Sequence, residues 1–204
     1  MKVVAHLVSA VFHPLLLSTY LVWWFGRLFP AFLTINREAL LPISGFVFVV
    51  TGVLPAVNLL MFRYFGSINS YLLTDHKQRI IPFFFIALIY MLVTALFYFK
   101  LPISASFIKM MIIVTVLVLA SAIITVFYKI SVHSLGMWGC IGILLPLNKA
   151  VEDGSLIWLT CGAIVVAGIV MWARLLLNAH TPREVLAGSL VGFTIGFSGM
   201  ISLF

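Results

Sequence analysis

Apolar residues in this chain come in long continuous runs, and polar residues gather in the short gaps between them. Seven runs, at roughly 3–25, 42–63, 81–99, 107–128, 134–150, 155–177 and 184–203, approach the ~20 residues with which a helix crosses about 30 Å of hydrocarbon. The apolar-polar alternation of a membrane barrel strand is missing from them. The pattern predicts an all-α, polytopic transmembrane helical bundle of about six or seven spans, forming a single integral membrane domain over residues 1–204. The fifth run is short and contains Pro146, which predicts a tilted, broken or partly inserted segment. The first run continues from Met1-Lys2 through Pro14 to Trp24 with no small-x-small cleavage site, so it reads as a retained helix.

Composition agrees. The chain is 64% hydrophobic and 8% charged, with a mean hydropathy of +1.25, whereas soluble domains carry about 25% charged residues. The net charge of +7 points to no nucleic-acid partner, because the cations stand singly at the ends of apolar runs. Snorkelling and lipid headgroups account for cations placed there. Cys140 and Cys161 lie inside apolar runs and read as small buried hydrophobes. Gly188, Gly192 and Gly196, four residues apart, lay a smooth stripe along the last helix and predict close helix contact. His6 and His13 fall within the first run and read as packing or interhelical hydrogen-bonding groups.

Seven spans would bring the connections after the second, fourth and sixth to one side of the membrane. Those connections hold Asp75-His76-Lys77-Gln78-Arg79, Lys129 through Ser134, and Arg174 through Glu184. The opposite side holds the scattered set Arg27, Arg37, Glu38, Lys100, Lys149, Glu152 and Asp153. A face that collects histidines, cations and a carboxylate suits an anionic group.

The most specific pattern is Arg174, five residues, His180, three residues, Glu184. It resembles the third motif, Ser-Arg-x5-His-x3-Asp, of the phosphatidic acid phosphatase type 2 superfamily, which includes haloperoxidases and bacterial lipid-phosphate phosphatases. Ser131-Val132-His133 resembles the second motif, Pro-Ser-Gly-His, and Lys77-Gln78-Arg79-Ile80-Ile81-Pro82 is a distant relative of the first. The motif order matches, and the resemblance covers Lys77 to the C-terminus. Ala173 and Glu184 stand where the family has Ser and Asp, and Ile130 and Val132 flank Ser131 where it has Pro and Gly.

The resemblance implies a metal-independent lipid-phosphate phosphatase without a cofactor, acting on a phosphomonoester or pyrophosphate of a membrane lipid. His180 would be the nucleophile that forms a phosphohistidine. Glu184 would orient its ring, and His133 would protonate the leaving oxygen. Arg174, Lys77, Arg79 and Ser131 would bind the phosphate. Phosphoryl transfer asks mainly for such positioning and positive charge. The alternatives are a non-hydrolytic headgroup binder or transporter, and a lipid phosphotransferase on the same site. No HExxH or cysteine pair supports a zinc site.

Each residue also has a purely structural reading. Thr181-Pro182-Arg183-Glu184 fits a capping box, Ser131 or Ser134 fits a helix cap, and Arg174 fits a helix-end cation. Lys77 and Arg79 fit topology signals. Bacterial relatives of the family imply an inner-membrane protein whose site faces the periplasm or exterior. The cation count runs mildly the other way: Lys2, Arg63, Lys77, Arg79, Lys129, Arg174 and Arg183 on the motif side against Arg27, Arg37, Lys100, Lys109 and Lys149.

Overall fold

The computed structural model describes residues 1–67, 76–101, 103–150, 154 and 156–204. Over these residues the chain is all-α, with no strand. Its helices are α1 (Lys2–Val11), α2 (Pro14–Leu28), α3 (Pro30–Leu33), α4 (Arg37–Phe48), α5 (Leu54–Tyr64), α6 (His76–Lys100), α7 (Ala105–Phe127), α8 (Val132–Ala150), α9 (Ile157–Leu176) and α10 (Pro182–Leu203). A π-helical turn, Val49–Val53, joins α4 to α5. Asp75, Glu152 and Asp153, expected in polar connections, lie outside the described residues.

Among the described residues, five helical segments are long and apolar enough to cross a membrane: Arg37–Tyr64, Lys77–Lys100, Ala105–Phe127, Ile157–Leu176 and Pro182–Leu203. A sixth forms if α1 and α2, bent by 56°, make one broken span. The first run is therefore not the single helix expected. Pro14 disfavours helical backbone at His13, and the helix breaks there. Many large side chains on these segments face outward, among them Val165 and Trp172 on α9 and Leu186, Leu190 and Ile201 on α10. Such a surface fits hydrocarbon, where helices satisfy their own backbone groups. The chain is a polytopic α-helical membrane protein.

Of the tilted, broken or partly inserted segment expected around Pro146, helix α8 excludes only the break. It runs unbroken through Pro146, and it is not among the segments apolar enough to span. His133, Ser134, Asn148, Lys149 and three glycines dilute its apolar content. Its large apolar residues Leu135, Ile141, Ile143, Leu144 and Leu147 are buried in protein, so α8 need not be compatible with lipid all round.

The chain divides into two compact units, residues 18–129 and residues 1–17 with 130–204. In the first, Tyr90 on α6 is almost wholly buried, and its hydroxyl donates to the Thr51 carbonyl at 3.1 Å. That carbonyl is the one Pro55, lacking an N–H, cannot serve from four residues on. Thr94 and Thr115 join α6 to α7 through their hydroxyls at 2.7 Å. In the second unit α8 and α10 share a seam of glycines. A Cβ on Gly188 would lie 2.5 Å from the Ser131 carbonyl oxygen, and Gly192 and Gly196 face the Leu135 and Gly139 carbonyls as closely. Contacting residue numbers rise together along both helices, so α8 and α10 run parallel. Helix α9 runs antiparallel to α8: Trp138 Nε1–H donates to Met171 Sδ, and Asn148 Nδ2–H to Thr160 Oγ1. Cys140 is buried, but Cys161 is exposed. An apolar position on a membrane helix needs no protein cover, so the burial expected for Cys161 does not follow.

Candidate active site

The site forms in the second unit, where α9 ends and where α8 and α10 begin. Helix α9 ends in a Schellman turn. Asn178 takes the left-handed conformation at φ 49°, its N–H donates to the Leu175 carbonyl at 2.9 Å, and the Ala179 N–H donates to the Arg174 carbonyl at 3.1 Å. This turn seals the carbonyl end of α9 and brings His180 back beside the turn that carries Arg174.

Thr181 then caps α10. Its Oγ1 accepts the Glu184 N–H at 3.3 Å, and the Glu184 carboxylate accepts the Thr181 N–H at 3.4 Å, a complete capping box. The same oxygen, Oε2, accepts from His180 Nδ1 at 2.7 Å. Capping and ring orientation were weighed as rival readings of Glu184, and the carboxylate does both. A proton on Nδ1 leaves the lone pair of a neutral His180 ring at Nε2.

Ser131 is fully buried. Its Oγ accepts the Ser134 N–H at 3.4 Å and the Ser134 hydroxyl at 3.0 Å, and so caps α8. Its own N–H donates to the Glu184 carbonyl at 3.2 Å, which ties the start of α8 to the first turn of α10. Arg174 is 7% exposed, and its Nε is buried without a hydrogen bond. His133 Nε2 lies 3.0 Å from the Ser9 carbonyl. A carbonyl only accepts, so this nitrogen carries the proton. The His133 ring meets His13 edge-on, with centroids 5.2 Å apart and planes at 84°. The Arg174 charge acts on both His13 and His133, and His180 acts on His133 as well. Arg174, His180, His133 and His13 thus share one electrostatic environment.

Of the seven expected site residues, His180, Glu184, His133, Arg174 and Ser131 belong to this unit. Lys77 and Arg79 belong to the other, in the first turn of α6. There Lys77 is exposed, and Arg79 is buried with its guanidinium 6.0 Å from the centroid of the Phe83 ring. Among the described residues no group of three or more His, Cys, Asp or Glu side chains gathers to hold a metal ion.

Three participants escape sequence reasoning. Ser9 enters through a backbone carbonyl, which no motif reports. His13 reads in the sequence only as a packing or interhelical hydrogen-bonding group, although its place before Pro14 marks a helix break and a site for a polar side chain. Asn178 is the third: asparagine at the end of a leucine run is a helix-stop signal.

The chain belongs to the class of polytopic helical membrane proteins, with a polar cluster of histidines, one arginine and one carboxylate at helix ends. No protein-family model, no curated protein and no solved structure matches it.

Proposed function

We propose that this chain is a membrane lipid-phosphate phosphatase that works through a phosphohistidine on His180. The observation that carries the reading is the 2.7 Å bond from His180 Nδ1 to Glu184, in a cluster where Arg174 is buried with Nε unpartnered. A buried guanidinium nitrogen without a hydrogen-bond partner among the described residues is costly, and a phosphate would relieve that cost. The N-termini of the parallel helices α8 and α10 add positive dipole ends on the same side.

The His180 Nε2 lone pair attacks phosphorus, and the bond from phosphorus to the leaving oxygen breaks. Glu184 stabilises the positive charge the imidazole acquires. With His133 Nε2–H held by Ser9, Nδ1 is the working nitrogen. It takes the proton that the lipid phosphate monoanion brings and gives it to the leaving oxygen. As the neutral Nε2–H tautomer, His133 then takes one from the attacking water and passes it to the departing phosphate. Water then attacks phosphorus, the bond to Nε2 breaks, and inorganic phosphate departs. Arg174 neutralises the equatorial oxygens throughout. Ser131 Oγ accepts in the α8 cap, which leaves its O–H to donate to a phosphate oxygen.

One observation favours a second reading, a headgroup binder without turnover: His133 Nε2–H is already held by the Ser9 carbonyl. Phosphate release from a panel of lipid monophosphates and pyrophosphates in detergent separates the two. The wild type should release phosphate, and His180→Ala and Arg174→Ala should not. Saturable binding without release by the wild type would decide for the binder. The family resemblance also supports a bacterial inner membrane with the site facing outward. Labelling of Asn178→Cys by an impermeant maleimide on intact spheroplasts, in a Cys140→Ala/Cys161→Ala background, tests that orientation.

A further inference from the structure

We propose that the break between α1 and α2 is a positioning device for His133, in which the Ser9 carbonyl holds its Nε2–H and the ring of His13 braces it edge-on. The inference rests on the phosphatase reading for its kinetic consequence, but not for its geometry. Three observations meet at the break. His133 donates to Ser9 at 3.0 Å, four residues before His13. The His13 ring stands across His133 at 5.2 Å and 84°, within the usual range of edge-to-face pairs. His13 Nδ1 accepts the Leu15 N–H at 3.3 Å, so the ring is anchored to the first turn of α2 and cannot swing away without losing that bond.

Among the described residues, α8 itself supplies no hydrogen bond to the His133 ring. His133 is the second residue of its helix, where a side chain has few neighbours from its own element. Without a bracket the ring would sample both tautomers and several rotamers. The bracket selects the Nε2–H tautomer and presents Nδ1, the opposite assignment to His180, whose Nδ1–H is held by Glu184 and whose Nε2 carries the lone pair. Two imidazoles with reversed tautomers suit a pair in which one attacks and the other moves a proton. His13 acts through His133, as a positioning residue.

Three substitutions separate ring bracing from simple capping of α2. His13→Phe keeps an aromatic edge and loses the Nδ1 acceptor. His13→Asn keeps an acceptor for the Leu15 N–H and loses the ring. His13→Ala loses both. Bracing predicts that Phe retains kcat within about threefold, while Asn and Ala lower it by about tenfold to a hundredfold, the scale of a misplaced catalytic group. KM should change less than about twofold in all three, because binding rests on Arg174. Capping predicts the reverse order, with Asn active and Phe impaired, and that order would overturn the proposal.

A second readout needs no turnover: 15N spectra of histidine-labelled protein in detergent, with the His133 signals assigned by their loss in His133→Gln. The wild type and His13→Phe should show His133 as the Nε2–H tautomer, and His13→Asn and His13→Ala should show tautomer averaging. If the wild type releases no phosphate from any lipid, the phosphatase reading fails and the spectra alone decide the inference. An unchanged His133 tautomer in the Asn and Ala variants overturns it.

Discussion

Replacing Glu184 by Gln separates the two jobs of that carboxylate, and the structure sets the size of each effect. Gln retains an oxygen that can accept the Thr181 N–H and the His180 Nδ1–H, so the capping box survives in outline. It loses the negative charge. In folding terms the loss is a helix-terminus charge interaction of about 0.3–1 kcal/mol, so the melting temperature should move little. In turnover the loss is larger, because His180 gains positive charge only as it attacks phosphorus. A hydrogen bond to a charged group contributes about 1.5–3 kcal/mol net. At about 1.4 kcal/mol per factor of ten, kcat should fall by roughly tenfold to 150-fold. Glu184→Ala should show a similar or greater kinetic loss, together with about 1 kcal/mol of lost stability from the cap. The assay is steady-state phosphate release with thermal unfolding of the same detergent-purified samples. Turnover of the Gln variant within about twofold of wild type would falsify the nucleophile-orienting role and leave Glu184 as a cap alone.

His180→Ala should abolish phosphate release while its elution profile and helical circular dichroism match the wild type, since its loss as a structural residue costs only about 1 kcal/mol; retained activity would remove His180 as nucleophile. Gly192→Ala should lower the melting temperature sharply, because its Cβ would overlap the Leu135 carbonyl of a packed backbone; Gly162→Ala, with nothing within 4 Å of the added carbon, is the control and should be neutral. Asn178→Val should destabilise by about 1–2 kcal/mol, a β-branched residue being strained at φ 49°, and Asn178→Gly should be tolerated. Tyr90→Phe should cost about 1–3 kcal/mol by leaving the Thr51 carbonyl unserved.

The helical bundle was legible because lipid imposes one rule, continuous apolar length, that a sequence reports directly. Span boundaries and number were less so. Where a helix is covered by protein, as α8 is, hydropathy stops discriminating, and three glycines with Asn148 and Lys149 become admissible. The break at His13 was written in His13-Pro14, but an apolar run hides it. The glycine stripe at 188, 192 and 196 was read as packing, and it packs. Its partner helix and the parallel sense of the seam needed coordinates, because spacing on one helix does not name the other. At the site, the i, i+4 spacing of His180 and Glu184 already placed ring and carboxylate within reach. Ser9 was invisible in principle, since any residue type offers the same carbonyl.

The cluster sits where a membrane protein can best place polar groups. Mid-helix, every backbone amide is already bonded, and a polar side chain must find its partner on another helix. At a helix start, by contrast, the amides lack intrahelical partners, so side chains such as Ser131 and Thr181 can serve them, and the dipole is positive. Here two such starts lie side by side because the glycine seam lets α8 and α10 run parallel and close, an arrangement in which their like dipole ends repel. Arg174 adds a third positive element at the same end. The carbonyl end of α9, which would offset them, is sealed by the Asn178 turn. The carboxylate at this end among the described residues, Glu184, is bonded to His180 and to the Thr181 amide. Two helix starts and the buried Arg174, whose Nε has no hydrogen bond, thus favour positive potential at this end of the unit. If that potential is what the fold maintains for an anion, inorganic phosphate or a lipid phosphate should raise the melting temperature of the wild-type protein. The rise should scale with the logarithm of ligand concentration above Kd, and it should vanish in Arg174→Ala. A wild type whose melting temperature ignores both ligands would leave the buried guanidinium without a function and the anion reading without support.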